Sequence, residues 1–145
     1  MARPLGSAVG RLLAVFDRAD DADRAIAGLT AAGIAPGRIQ RLVGPDDADA
    51  LDASGRRRGL RGRLYRIIEF TWADQAPDFA AYEAALHEGR QVVTVRVRGQ
   101  QEVRRVADLV ESARGHFINH FGWFETQELA RWKGKEPDLP GFLRR

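Results

Sequence analysis

An internal repeat constrains the fold of this chain more than any other feature of its sequence. A short apolar run, a turn, an amphipathic stretch, a glycine and a second apolar run follow one another at 12–43 and again at 91–124. Apolar runs of strand length beside a stripe of 3.6-residue period are typical of strands alternating with amphipathic helices. The repeat therefore predicts two strand–helix–strand units. The positions that match at a spacing of 80 residues are Val15 with Val95 and Ile26 with Val106.

Two such units predict an α+β fold of the ferredoxin-like βαββαβ type, in which one antiparallel sheet carries two helices on one face. We expect the strand order 4-1-3-2 and helices at 20–33 and 101–114. A length of 145 residues is close to that of one domain. The sequence therefore predicts a single domain at 1–132, with a helical insertion at 45–90 between the second and third strands and a flexible tail at 133–145.

Local signals set the ends of the predicted elements. Asp20 is expected to cap the first helix, because an aspartate side chain accepts hydrogen bonds from the first free backbone N–H groups. Gly33 is expected to end that helix, with Ile34 packed back on Leu29, and Gly115 is expected to end the second one. The other elements predicted in the C-terminal half are a strand at 91–98, an aromatic strand at 116–124 and a short terminal helix at 127–132.

The face of the predicted sheet opposite the two helices needs a cover. Side chains alternate along a strand, so one face of 91–98 is set by valines that point toward the helices. An apolar face of this size is rarely left exposed on a monomer, and the inserted helices, a ligand or a second copy is expected to cover it. The side chains assigned to this outer face are Leu12, Ala14, Phe16, Thr94, Arg96 and Arg98.

The outer face supplies the candidate ligand-binding residues and the predicted interface. A ligand bound there would meet Arg96, His116 or His120. A second copy is the commonest cover, because one self-complementary patch then serves both subunits. We therefore predict a homodimer with the strand at 116–124 at or near the interface.

Neither a metal nor another cofactor is predicted. On a strand, His116 and His120 lie ~13 Å apart at 3.3 Å per residue, which is too far to share an ion. They also lack the intervening glutamate of the zinc-protease signature. The chain has no cysteine, so a thiolate metal site and a cysteine nucleophile are excluded.

A cluster of arginines in the insertion is the second candidate site. Six arginines lie within 56–66, and guanidinium groups bind phosphate in a bidentate geometry. The candidate anion-binding residues are Arg56, Arg57, Arg58 and Arg61. Aspartates at 46–52 balance this charge, the net charge is only +3, and Tyr65 alone gives no base-stacking platform. Nucleic acid is therefore not an expected partner.

The hydropathy pattern predicts no membrane association. The longest stretch without a charged residue runs over the 13 residues at 25–37, whereas a membrane-spanning helix needs about 20 apolar residues. No secretory signal pattern is recognised near the first residue. We therefore expect a cytoplasmic protein.

Two segments of the chain are similar to a known family. Ala25-Ile26…Leu29…Ala32-Gly33-Ile34, and Tyr82-Glu83-Ala84-Ala85-Leu86…Gly89 leading into Val92-Val93-Thr94-Val95, resemble the bacterial general stress protein domain, also called the heat-induced stress protein domain. The resemblance extends over 11–124. It implies a small α+β domain and supplies no catalytic residues. The middle segment of the family is often long and rich in glycine, whereas here it is short and rich in arginine.

Two functions follow as hypotheses. The first is a non-enzymatic cytoplasmic domain of the general stress protein type that acts by self-association or by binding a protein partner. The alternative is a small-molecule-binding or enzymatic domain, similar to dimeric α/β-barrel proteins, that uses the outer sheet face. The two differ in what covers that face: an enclosed pocket on which Arg96, His116 or His120 converges favours the alternative, and inserted helices that fill the space favour the binding domain.

Overall fold

The computed structural model describes residues 10–44, 47, 76–122 and 126–134. These residues form five strands and three α-helices, which confirms the α+β class. In chain order the elements are β1 (Arg11–Phe16), α1 (Ala19–Ala31), a short 3-10 helix (Pro36–Arg38), β2 (Ile39–Val43), α2 (Ala76–His87), β3 (Gln91–Arg96), α3 (Gly99–Ser112), β4 (His116–Phe121) and β5 (Thr126–Ala130).

The strands form one antiparallel sheet in the order β2-β3-β1-β4-β5. The first four strands have the neighbours that the repeat predicts, but a fifth strand lies outside β4, so the predicted four-strand order is incomplete. The helix predicted at 127–132 is wrong, because β5 occupies Thr126–Ala130. An isolated helix of five or six residues is marginal, whereas the free edge of β4 offers backbone partners along the whole segment.

The two halves of the molecule share one pattern of buried side chains, at a spacing of 81 residues rather than 80. The side chains on the face that packs against α1 and α3, called the helix face below, form one apolar core. The matched pairs in that core are Leu12 with Val93, Ala14 with Val95, Phe16 with Val97, Ala22 with Val103, Ala25 with Val106 and Leu29 with Val110.

The spacing of 81 rather than 80 residues reverses the face of the sheet to which the side chains of β1 were assigned. Leu12, Ala14 and Phe16 lie on the helix face, so their assignment to the outer face is wrong. A slip of one residue moves every side chain of a strand to the other face. Because 12–16 is apolar throughout, alternation within the strand gives no signal that would reveal the slip.

Helix α2 covers the outer face. Tyr82, Ala85 and Leu86 of this helix are buried, and they pack against a second apolar cluster on the sheet. The sheet residues of this cluster are Leu13, Val15, Leu42, Val92 and Phe121. Helix α2 belongs to the insertion predicted at 45–90, so the insertion provides at least part of the cover expected for the outer face.

The beginning of α1 differs from its prediction. The helix begins at Ala19 with Arg18 in the capping position, and no side chain caps it. Asp20 is therefore not the cap. It lies in the first turn with Asp21, where carboxylates interact favourably with the positive end of the helix dipole.

The ends of α1 and α3 use the same hydrogen bonds with different residues. After α1, the N–H of Ile34 donates to the Leu29 carbonyl at 3.0 Å, and Gly33 takes a φ of 93°, as predicted. After α3, the N–H of Gly115 donates to the Val110 carbonyl at 2.8 Å. The left-handed position, which usually takes glycine, is filled there by Arg114 with a φ of 72°.

Candidate functional site

The three candidate ligand-binding residues do not converge. Arg96 is exposed and pairs with Arg11 at one end of the sheet, whereas His116 is buried and pairs with Val15 on the same central strand. Four residues of strand separate those two partners, a distance of about 13 Å. His120 pairs with Leu12 and so lies on the helix face, opposite to the outer face. The described residues therefore do not bring these three side chains into one site.

Both ring nitrogens of His116 have partners inside the protein. Its Nδ1 accepts a hydrogen bond from the backbone N–H of Lys133 at 3.2 Å, and its Nε2 lies 2.9 Å from Oδ1 of Asp17. Because Nδ1 accepts, we assign the proton to Nε2, which donates it to the Asp17 carboxylate. With 2% of the side chain exposed, the imidazole has neither a free lone pair nor an opening through which a substrate could reach it.

The same cluster fastens the residues after β5 to the body of the domain. The Trp132 ring makes an edge contact with His116, with centroids 4.8 Å apart, and the guanidinium of Arg90 lies 5.1 Å from the Trp132 ring. Arg90 Nε also lies 3.1 Å from Oδ1 of Asp17. The Phe117 N–H donates to the Arg131 carbonyl at 2.9 Å. These contacts hold 131–133 against β4.

A bulge in β4 places a second cluster of hydrogen-bonded polar groups beneath α2. The pairing of β4 with β1 shifts between Leu13 and Val15, and Phe117 takes a φ of 47°, which is uncommon for a bulky residue. The hydroxyl of Tyr82 lies 2.7 Å from the Phe117 carbonyl that the bulge turns inward, and the Asn119 side-chain amide donates to the Tyr82 oxygen at 2.9 Å. Buried polar groups that are paired in this way fix one arrangement of a core.

Two titratable groups on the helix side have shifted pKa values. Burial lowers the pKa of His120, because desolvation disfavours the charged imidazolium. Burial alone raises the pKa of Glu102, but the hydrogen bonds and charges of Arg38 and Arg98 outweigh it and lower that pKa. Glu102 pairs with Arg38 and accepts the Arg98 backbone N–H at 2.9 Å, so it links α3 to the segment before β2. Both shifts have a structural cause.

The second candidate site lies outside the described residues. Arg56, Arg57, Arg58 and Arg61 all fall in 48–75, so their anion-binding role stays a prediction. Within the described part of the chain, no three histidine or carboxylate side chains are grouped so that they could hold a metal ion. None of the helices in that part is long and apolar enough to cross a membrane.

A groove with a volume of about 330 Å³ lies between α3 and β5. Its wall is formed by four residues of α3, which are Arg104, Ala107, Asp108 and Glu111. Its floor is formed by Ile118, Gln127 and Leu129 of the sheet. Among the described elements, α1 and α3 pack on this face of the five-stranded sheet, and the helix face of β5 extends past them. We call this feature the α3–β5 groove.

Sequence reasoning missed the groove for an identifiable reason. Arg104, Asp108 and Glu111 are spaced i, i+4 and i+7, and all three are exposed, so they form a charged stripe on one side of α3. That stripe is visible in the sequence. Its significance depends on β5, which the sequence did not predict as a strand.

No family model, curated protein or solved structure matches the chain. The resemblance to the general stress protein domain therefore rests on the two short segments quoted above. In the structure those segments are mainly core: Ala25, Leu29, Ile34 and Tyr82 are among their buried residues. Core residues describe how a domain packs, and function depends on the sites that the fold carries.

Proposed function

We propose that the chain is a non-enzymatic cytoplasmic domain of the general stress protein type that acts by self-association as a homodimer. For its fold we propose the ferredoxin-like βαββαβ arrangement with an added edge strand. The neighbours of β1 to β4 support this reading, because β1 and β3 are central and β5 lies outside β4. The buried pattern shared by the two halves supports it as well.

One observation carries the functional proposal: α2 packs on the outer face, where the alternative function needs a pocket. Tyr82 is fully buried between this helix and the sheet, and Leu86 is buried beside it. An open groove is found on the other face of the sheet, between α3 and β5, and its floor includes Ile118 of β4. The groove borders β4 on the helix face, whereas the sequence predicts the interface at or near 116–124 on the outer face.

The bonding of His116 further supports a non-enzymatic role. A histidine that acts as a general base needs a free ring nitrogen within hydrogen-bond reach of the substrate proton. In His116 both nitrogens are engaged, by Asp17 and by the Lys133 backbone. Breaking either contact would leave a buried polar group without a hydrogen-bond partner, which costs about 1–3 kcal/mol.

Sedimentation velocity over a wide range of micromolar concentrations tests the proposal. We expect a particle of twice the chain mass of 16.1 kDa, which dissociates on dilution. A particle of 16.1 kDa at every concentration would contradict self-association. A thermal-shift screen against small metabolites is the companion measurement, and a saturable ligand that stabilises the monomer would favour the alternative function instead.

A further inference from the structure

The chain leaves β5 at the end of the α3–β5 groove where α3 ends. Gln100 Nε2 donates to the Gln127 side chain at 3.2 Å, so the first turn of α3 lies beside the start of β5. Because β5 runs antiparallel to β4, its end lies beside the start of β4, where the Phe117 N–H donates to the Arg131 carbonyl at 2.9 Å. Strand β4 is the element that follows α3. The residues after Gly134, the last described residue, therefore start near the C-terminal end of the α3 wall.

The charged side chains of the groove are arranged by sign along α3. Asp108 and Glu111 lie toward the C-terminal end of the wall and Arg104 toward its N-terminal end, and all three are exposed. A segment that enters at the C-terminal end thus meets two carboxylates before it meets the guanidinium. Complementary charges fix the register of two surfaces in contact, so a segment that fits carries a cation first and an anion after it. Glu111 and Arg104 lie about 10.5 Å apart along the helix, at 1.5 Å per residue.

The sequence that follows β5 has this order of charges at a matching distance. Lys135 comes first and Asp138 follows three residues later, with Pro137 and Pro140 in the same stretch. A proline fixes its own φ and favours an extended conformation for the residue before it, which predicts polyproline II geometry at 136–140. This helix has three residues per turn and a rise of 3.1 Å, so Lys135 and Asp138 would lie on one face, about 9.3 Å apart.

We propose that residues 135–140 occupy the α3–β5 groove of their own chain in polyproline II geometry. Lys135 then lies at Glu111, and Asp138 lies at Arg104. Proline-rich segments bind in surface grooves in this geometry with little loss of entropy, because the segment is ordered before it binds. The contact lies within one chain, so it goes beyond the proposed self-association and does not depend on it.

Disulfide trapping in the full-length chain tests the position of the segment, because the chain has no cysteine of its own. The test variant is R104C/D138C and the matched control is R105C/D138C. Arg105 is the next residue of α3 and is also exposed, but its side chain turns toward α1 and donates to the Ala32 carbonyl at 2.8 Å. We expect the disulfide within one chain to form at least about tenfold faster in the test variant, since docking raises the effective concentration of the second thiol.

A charge reversal at the other end of the groove tests the register. In the R104C/D138C chain, Lys135→Glu places a carboxylate at Glu111, and we expect disulfide formation to slow by about threefold or more because like charges repel. Adding Glu111→Lys to that variant restores opposite charges and should restore the rate. The replaced α3 residues are exposed, so all variants should keep the thermal midpoint of the original chain.

Non-reducing electrophoresis and mass spectrometry of dilute protein identify the products. A faster disulfide in the test variant than in the control, slowed by Lys135→Glu and rescued by Glu111→Lys, supports the proposal. Equal rates in test and control overturn it, as does a fast disulfide that links two chains, and failure of the rescue overturns the register. Sedimentation of the original chain measures self-association separately, so either proposal can fail while the other stands.

Discussion

The two strand–helix–strand halves of the molecule share their inner face but not their ends. In both halves the buried side chains of strand and helix repeat at 81 residues, from Leu12 and Val93 to Leu29 and Val110. Among the residues that the structure describes, the second half alone carries a left-handed arginine after its helix, a bulged strand and a partner strand at its edge. The polar cluster around His116 and the α3–β5 groove both lie where the second half departs from the first.

This difference separates the apolar core, which both halves share and which determines the fold, from the polar contacts that occur in the second half. The shared inner face needs only apolar side chains at a fixed spacing, because packing of two helices on a sheet is largely set by that pattern. The bulge at Phe117 instead turns a carbonyl toward Tyr82. That contact joins the inserted helix to the second half, and it has no counterpart at β2.

The largest predicted effect comes from breaking that contact. Tyr82→Ala removes a fully buried aromatic side chain, and we expect a loss of about 3–5 kcal/mol in the free energy of unfolding. Tyr82→Phe keeps the ring but leaves Asn119 and the Phe117 carbonyl without the hydroxyl, at a cost of about 1–3 kcal/mol. Urea denaturation followed by circular dichroism measures both.

The matched control for Tyr82 is Val43→Ala on β2, in the half without the bulge. Val43 is 48% exposed, so its truncation should change the free energy of unfolding by less than about 0.5 kcal/mol. If Tyr82→Phe proves as harmless as Val43→Ala, the hydroxyl contributes nothing and the polar group under α2 is not what holds that helix.

The sequence predicted the features that depend on local pattern. The stripes of α1 and α3 and the glycine end of α1 follow from 3.6-residue periodicity and from the φ that glycine tolerates. The pairing of Asp17 with His116 could not be predicted, because it joins residues 99 positions apart. The strand β5 was missed for the related reason that its partner, the edge of β4, exists only in the folded sheet.

The error in the facing of β1 has a different origin. A spacing of 80 matches the element boundaries, since β1 and β3 begin at Arg11 and Gln91. The buried positions match at 81, and only the helices reveal this, through pairs such as Ala25 with Val106. In a strand that is apolar on both faces, the side chains that point to the helix face must be inferred from the buried positions of the helix that follows.

A second prediction contrasts two glycines, one in each half. A Cβ on Gly115 would lie 2.7 Å from the Val110 carbonyl and 2.9 Å from the Phe16 ring, whereas a Cβ on Gly28 would meet nothing within 4 Å. Gly115→Ala should therefore destabilise by about 1–3 kcal/mol through overpacking. Gly28→Ala, inside α1, should stabilise by about 0.5–1 kcal/mol because glycine is unfavourable in a helix.

Thermal and urea unfolding of the two glycine variants measure the contrast directly. The substitution is chemically identical, so opposite signs report the two environments rather than the alanine itself. Equal effects at the two positions would contradict the close approach of α3's end to Phe16, and with it the account of why a glycine occupies position 115.

The smallest predicted effect concerns the position after the helix, where the first half has Gly33 and the second half has Arg114. Arg114 holds a φ of 72°, and a side chain in the left-handed region costs roughly 1–2 kcal/mol. Arg114→Gly relieves that cost but gives the unfolded chain more conformational freedom, so we expect a net stabilisation of about 0.5–1 kcal/mol. Gly33→Ala at the equivalent end of α1, where φ is 93°, should destabilise by a similar amount. Because the Arg114 side chain is exposed, stabilisation is the expected sign. A loss of stability in Arg114→Gly would mean that the side chain makes a contact that stabilises more than the strain destabilises.

The double variant R114G/G33A should then unfold with nearly the original free energy, because the two ends are far apart in the sequence, belong to different helices and are expected to act additively.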